Sequence, residues 1–510
     1  MTTTNNAGNA PEALKEAEVA LVGAGLVGSL LAILLAKRGF EIDVFERRAD
    51  MRKEAISAGR SINLAISTRG IHALERAGLD QKVLSTAVQM RGRMIHTKAA
   101  DYQAGELVFQ PYGKDDSECI NSISRGTLNK VLMDWAEETG KVKFHFHHKA
   151  EGINFADNKL TILDEQSGKN IEMFADIVIG TDGSASKIRE EMMQRPGYGF
   201  TTSRLDYGYK ELVIPPTKDG GFAMEKNALH IWPRGTFMLI ALPNFEGSYT
   251  ATLFLPWEGP VSFASLSDSA KVEEFFKKEF PDAVPIIETL TETFFANPTG
   301  HMDTIKSYPW NVDGSALLLG DAAHAVVPFY GQGANCGFED LTVLSECIEE
   351  HIARGGSLGI DHRAGVKSSA DGRRIKEGSS NWKTIFDELV LRRKVNCDAI
   401  ADMAVENFTE MRDKVADPRF LMGKAIEKIL EKEFPGEYRS RYSLVTFSNH
   451  PYSLALQVGV VCDEILAELT RGIDKPEQVD LKKAHLLIKE KLAPLLATIQ
   501  KTEMAPAAAQ

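Results

Sequence analysis

Disulfide chemistry is the first thing this sequence lacks the material for. Its 510 residues hold five cysteines, Cys119, Cys336, Cys347, Cys397 and Cys462, an odd number at irregular spacing with no C-x-x-C pair. That pattern offers neither a disulfide framework nor a zinc site; no metal is expected, and a reducing, cytoplasmic setting suits it. Positive charge is also short. Lys and Arg total 59 against 71 Asp and Glu, for a formal charge of −12, and this argues against nucleic acid as a partner, because phosphate binding needs a basic face. Long apolar runs are missing too. The most apolar late stretch, YSLALQVGVVCDEILAEL, is broken by Asp463, Glu464 and Glu468, well short of the ~20 residues of a membrane span. The polar start MTTTNNAGNAPEALKEAE has no basic segment leading into an apolar core, so it is not a secretion signal. The expectation is a soluble chain without a membrane anchor, and no repeat of fixed period is visible.

What is present is a globular composition, 43% hydrophobic and 25% charged, in a chain long enough for two or three domains. EVALVGAGLVGSLLAILLAKRGFEIDVFERR reads as strand, glycine turn, apolar helix and strand. Residues 68–86 and 124–139 read as helices, and FADIVIGTDGSASKIREEM as a buried strand, a D-G turn and a helix. Between about 200 and 256, segments such as TFMLIALPN and SYTATLFLPW alternate with Pro, Gly and Asn, the texture of an antiparallel sheet. The predicted fold class is α/β: a Rossmann-like FAD-binding domain with an antiparallel β-sheet substrate domain and a helical C-terminal region. The expected parts are a disordered tail over 1–16, a discontinuous cofactor domain over 17–90, 119–200 and 300–350, and a sheet domain over 91–118 and 201–299. A Gly/Ser-rich surface insertion over 353–382 and a helical region over 383–500 complete it.

Three strand-to-helix junctions carry the chemistry. VGAGLVGSL places Gly23, Gly25 and Gly28 as G-x-G-x-x-G: the first permits a tight turn, the second a close approach of pyrophosphate to the backbone, the third close helix–strand packing. The helix start then aims free N–H groups and its dipole at phosphate. Glu46, at the end of the next strand, is positioned to accept from adenosine ribose hydroxyls and to repel a 2′-phosphate, which suits FAD or NAD. Asp182-Gly183 follows a buried strand, and Gly320-Asp321 ends the apolar run Ala316–Leu319 before a Pro/Gly-rich turn. Singly, either is equally readable as a β-turn or a helix cap.

Taken in order, GxGxxG, DG and GD resemble the pattern of the flavin-dependent aromatic hydroxylases over most of the chain. The resemblance implies an extended FAD whose adenosine meets Glu46, with Arg48, Arg125 and Ala150 as further contacts and Val27, Ala65 and Asp182 beside it. Asp321 would bind the ribityl hydroxyls, and Gly333, Ala334 and Asn335 would present a helix start to the flavin pyrimidine edge. GRSINLAIS, MRGRMIH, PYGKDDSE, YKELVIPP, LHIWPRGTFMLIALPN, GDAAHAVVPFYGQGANCGFED and RYSLVTFS are similar, in this order, to the kynurenine-hydroxylating members of that family. That narrower resemblance implies L-kynurenine as substrate, NADPH and O2 as co-substrates, and hydroxylation to 3-hydroxykynurenine through a flavin C4a-hydroperoxide. The substrate carboxylate would meet Arg93 and Tyr112, with Asn407 and Tyr442 completing the polar end. Pro328 and Phe329 would place the ring, and Glu410 would orient neighbours or meet the ammonium. No catalytic side chain is implied, since the flavin carries the chemistry, and His324 is expected to cap or pack. No second Rossmann fingerprint serves NADPH, in keeping with that family, and a homodimer is one expected state. Eukaryotic members end in a hydrophobic anchor that has no counterpart here. Rival readings are another aromatic acid on the same fold, a colourless NAD-dependent dehydrogenase, and a non-catalytic flavin-bound sensor.

Overall fold

A computed structural model describes residues 15–53, 63–113, 115, 117–358, 367, 368, 374, 375, 379–411 and 417–497. Most of the expected tail, much of the insertion, and part of GRSINLAIS and of PYGKDDSE lie outside the described residues.

The first layer is an eight-stranded sheet whose parallel centre runs Ala316–Leu318, Lys169–Gly180, Lys15–Val22, Ile42–Glu46 and Val142–Phe146. The inner parts of the central strands, Val19–Val22 and Ile177–Gly180, are buried on both faces, as a parallel sheet covered by helices requires. Val19, Ala20, Leu21 and Val22 are all buried, and the helix Leu26–Ala36 beside them is buried nearly all round. Residues 68–86 form two helices instead of one, Thr68–Ala77 and Asp80–Leu84, because Gly78 at φ +72° ends the first in a left-handed turn.

The second layer is a seven-stranded sheet in the order Gly300–Tyr308, Gly199–Ile214, Tyr249–Pro256, Met238–Pro243, Ala228–Pro233, Gly92–Lys98, Ala104–Pro111. Its pairs are antiparallel except Ala228–Pro233 with Gly92–Lys98, which run parallel. Gly300–Tyr308, within a range expected in the first layer, pairs along Gly199–Ile214 because its inward Met302 packs under this sheet with Ile231, Met238 and Phe254. A small antiparallel sheet of Leu64–Ile66, Ile120–Ile123 and Val88–Met90 lies where the layers meet. There Met90, Ile120 and Leu242 share one apolar cluster. Helix Ser379–Thr409 packs on Gly333–Ala353 and on Tyr452–Leu469, which in turn contacts Pro418–Glu433 and Arg441–Thr446. Among the described residues no helix is long and apolar enough to cross a membrane.

Candidate active site

Both sheets and the C-terminal helices enclose one cavity of ≈ 420 Å³. Of the residues singled out from sequence, Gly25, Val27, Ala65, Arg93, Tyr112, Arg125, Asp321, Pro328, Phe329, Gly333, Ala334 and Tyr442 line it. Gly23, Gly28, Glu46, Arg48, Ala150, Asp182, Asn335, Asn407 and Glu410 are not part of that lining.

At one end lies the glycine turn. Gly23 adopts φ +103°, and a Cβ there would sit 2.6 Å from the Thr181 carbonyl; a Cβ on Gly28 would run into the Gly23 carbonyl. Gly25 differs, because a Cβ there would meet open space. No side chain caps the helix that starts at Leu26, nor the one that starts at Gly333, so both helix starts offer their N–H groups to the cavity. Glu46 is buried beside the turn: its Oε2 accepts from Ala24 N–H at 3.0 Å and its Oε1 from Arg48 Nε at 2.8 Å. Burial would raise the Glu46 carboxyl, but the Arg48 hydrogen bond and charge hold it below the usual range. Asp182 turns one oxygen onto the N–H of Lys187 at 2.7 Å, capping the helix Lys187–Met192, while its Oδ1 is buried without a partner. Burial pushes this carboxyl up. Arg189 joins the two acidic junctions, donating to Ala322 O at 2.8 Å and Ser184 O at 2.5 Å.

At the other end Arg93 rises from the second sheet between two phenols. Its Cζ stands 5.5 Å from the Tyr112 ring centroid and 5.3 Å from that of Tyr442, and the two rings stack at 5.8 Å. Arg93 hydrogen-bonds Tyr112 and feels the charge of Glu410 from a distance, while among the described residues no carboxylate hydrogen-bonds it. Burial pushes the Tyr112 and Tyr442 phenols up, so both stay protonated and able to donate. Phe329 is buried against Phe254 at 5.0 Å and Phe408 at 4.4 Å. Asn407 does not reach the cavity: its Nδ2 donates to the Phe329 carbonyl at 2.7 Å, holding that ring's backbone in place. Glu410 is partly exposed, 4.0 Å from Lys424. Ala150 is buried in the strand His148–Asn154, away from the lining.

Sequence reading missed several residues here. Leu229, Met238, Ile240 and Phe254 form the sheet wall, and Tyr330 packs 6.0 Å from Tyr442; alternation in TFMLIALPN carries the signal for Met238 and Ile240. Asn335 turns out to be a fastener: its Oδ1 accepts from Ser67 N–H and its Nδ2 donates to Ala65 O and Gly331 O, all at 2.9 Å. That bracing fixes the strand Leu64–Ile66 against the helix start. His324 is buried and pairs with Asp340, its Nε2 2.7 Å from Oδ2, while Asp340 also accepts from Gly320 N–H at 3.0 Å and Arg393 Nε at 2.8 Å. Burial would raise Asp340, but the charges of His324 and Arg393 hold it down at about 2.

A family described as an FAD binding domain matches residues 16–362. The kynurenine 3-monooxygenase of Myxococcus xanthus (strain DK1622) is 52% identical, covering 94% of this chain and 96% of its own. The enzyme of that name from Dictyostelium discoideum is 42% identical over 93% of this chain and 98% of its own. Among solved structures, 2-methyl-3-hydroxypyridine-5-carboxylic acid oxygenase superposes with a TM-score of 0.58 at 20% identity, over 81% of this chain and 96% of its own. The p-nitrophenol 4-monooxygenase of Pseudomonas putida DLL-E4 gives 0.58 at 19% identity, over 89% and 98%. At those identities the likeness is one of fold.

Proposed function

The chain belongs to the FAD-binding-domain family and, within it, to the kynurenine 3-monooxygenases, and on that footing we propose that it uses NADPH and O2 to hydroxylate L-kynurenine to 3-hydroxykynurenine with FAD as its cofactor. The observation that carries this reading is the Arg93 pole: a guanidinium between two phenols, without a carboxylate partner among the described residues, in a cavity also walled by Phe329 and Phe254. Kynurenine brings an α-carboxylate to that cation and an aminophenyl ring to the aromatic wall.

The residues present fit FAD. Open space at Gly25, two uncapped helix starts on one cavity and the unpartnered Oδ1 of Asp182 match a long ligand with a pyrophosphate, hydroxyls and an anionic ring. Gly25 and the Leu26 helix would hold the pyrophosphate, Glu46 and Arg48 the adenosine, and Asp321 the ribityl hydroxyls. Gly333 and Ala334 would aim a helix dipole at the pyrimidine edge, where it stabilises negative charge. When bound, FAD takes hydride from NADPH and activates O2 for transfer of one oxygen atom to the ring. The chain's own part is positioning and water exclusion. Arg93 with Tyr112 and Tyr442 anchors the carboxylate, Asn407 holds the Phe329 backbone that presses the ring into place, and Glu410 faces the ammonium. Five free thiols support a reducing, cytoplasmic location.

NADPH oxidation under air, with and without L-kynurenine, tests the reading. Kynurenine-dependent consumption with a product one oxygen atom heavier establishes it. Consumption stimulated only by a different aromatic acid reassigns the substrate, and a colourless protein that FAD does not reconstitute overturns the cofactor.

A further inference from the structure

Behind the cavity the first turns of Gly333–Ala353 pack on the helix Ser379–Thr409, and two thiols meet there. The sulfurs of Cys336 and Cys397 lie 3.5 Å apart, both residues at 0% exposure. Cys336 Sγ faces His324 Nδ1 at 3.8 Å, and His324 Nε2 faces Asp340 Oδ2 at 2.7 Å. Thiol, imidazole and carboxylate thus stand in a row, the arrangement by which a base activates a nucleophile. Arg393 Nη2 donates to both sulfurs, at 3.3 and 3.4 Å.

The charges of this buried cluster balance. Arg393 pairs with Asp340 at 2.8 Å and Glu339 at 2.6 Å, and Arg69 lies 3.5 Å from Glu339. Passing the Cys336 proton to His324 therefore creates a thiolate beside an imidazolium and a guanidinium without changing the net charge. The Cys397 S–H hydrogen bond, against the opposing effect of burial and with help from His324 and Arg393, pushes the Cys336 thiol down to about 6. Burial, above all, pushes the Cys397 thiol up. One sulfur is activated as the attacking thiolate, and its neighbour keeps its proton until the second step. His324, Cys336 and Cys397 also offer three ligand atoms within 4.8 Å, but a guanidinium that already donates to both sulfurs repels a cation.

We propose that Cys336 and Cys397 are a peroxide-reactive dithiol that closes to an intramolecular disulfide. The Cys336 thiolate attacks one oxygen of hydrogen peroxide and the O–O bond breaks, leaving a sulfenic acid at Cys336 and hydroxide, which takes the proton held on His324 to become water. His324, neutral again and within 4.8 Å of the Cys397 sulfur, takes the Cys397 proton. The Cys397 thiolate attacks the Cys336 sulfur, the S–S bond forms as the S–O bond breaks, and the departing hydroxide takes the proton from His324 to become a second water. Two thiols lose two electrons and peroxide accepts them. The sulfurs close from 3.5 Å to about 2.0 Å. Gly333 and Ala334, on the same helix, line the cavity, which brings a water-sized oxidant to within one turn of Cys336.

The test treats the FAD-loaded protein with hydrogen peroxide, alkylates it under denaturing conditions and maps its peptides by mass. The expected result is a Cys336–Cys397 linked peptide two hydrogens lighter than the free pair, with two of the five thiols lost and restored by dithiothreitol. Cys397→Ala should stop at a Cys336 sulfenic acid that dimedone traps, and Cys336→Ala should leave Cys397 a thiol. Both cysteines remaining thiols while the half-buried Cys119 oxidises would overturn the proposal. So would over-oxidation of Cys336 in the unaltered protein without the link. Mapping the unaltered protein needs no variant, so a variant that misfolds leaves the test standing.

Discussion

A methyl group added at Gly25 points into open space, whereas one added at Gly28 meets the Gly23 carbonyl. Two substitutions in one short turn therefore have different expected effects. Gly28→Ala forces strand and helix apart and should cost about 1–3 kcal/mol of stability, read as a lower urea midpoint of the apoprotein. Gly25→Val, at an ordinary φ of −75°, should leave that midpoint nearly unchanged and yet yield protein with little bound flavin; retention of a full flavin complement would count against pyrophosphate at this turn. A charge-assisted pair contributes about 1.5–3 kcal/mol, so Arg93→Ala should weaken kynurenine binding about 10- to 150-fold while flavin content holds. Arg93→Lys keeps the charge but loses the planar fork and should recover only part of the affinity. A flavin-absorbance titration reads both, and unaltered affinity in Arg93→Ala would remove Arg93 from the site.

The second sheet carries a polar chain on the face turned away from the cavity. His96 Nδ1 stands 2.5 Å from Asp282, His96 Nε2 stands 2.8 Å from His230 Nδ1, and His230 Nε2 donates to Glu225 O at 2.9 Å. The chain spans the parallel pair Gly92–Lys98 and Ala228–Pro233 and reaches the residue after the helix Ser269–Glu279 and its turn. Burial drives His230 down to about 4. Above about pH 6.5 the histidine is neutral in folded and unfolded chains alike and has no effect. As pH falls from there toward 4, the unfolded chain takes up the proton first, so stability is lost progressively, by up to about 3 kcal/mol. Burial would raise Asp282, but His96 and Trp232 hold it below the usual range; its contribution is present above the ordinary carboxylate pKa and is lost at still lower pH, in the same direction. Urea midpoints at pH 7.5 and pH 5 should therefore differ more for the native chain than for His230→Gln. An equal difference in the two proteins would rule out His230 as the source.

At the level of the whole molecule, one buried guanidinium joins three regions. Arg69, on the helix Thr68–Ala77, donates to the carbonyls of Ser448 and His450, lies 3.9 Å over the Tyr452 ring, and faces Glu339 of the helix Gly333–Ala353. Tyr452 in turn donates to Gln332 at 2.8 Å, next to the helix start that lines the cavity. Removing one member of a buried charged network costs about 3–5 kcal/mol, so Arg69→Met should lower the unfolding midpoint clearly. The loss should be uneven: hydrogen exchange should quicken over Arg441–Leu469 while Lys15–Val22 stays protected. Uniform quickening in both would show that Arg69 stabilises the fold in general and does not dock the C-terminal helices.

What was legible in the sequence obeys local rules. The turn at Gly23 needs a positive φ, the helices at Leu26 and Gly333 must begin where the chain turns, and the buried runs Val19–Val22 and Ala316–Leu319 have nowhere to go but a covered parallel sheet. Those constraints act over a few residues, so the cofactor-type layer follows from local sequence, and family resemblance extended the reading to Arg93, Tyr112 and Tyr442, which the fold gathers at one pole. Tertiary structure alone decided that Asn407 braces Phe329 without lining the cavity, that Gly300–Tyr308 joins the second sheet, and that Cys336, Cys397, His324, Asp340 and Arg393 share one buried cluster. Such pairings link side chains distant in sequence. They follow from which surfaces close on one another, and no spacing along the chain encodes that.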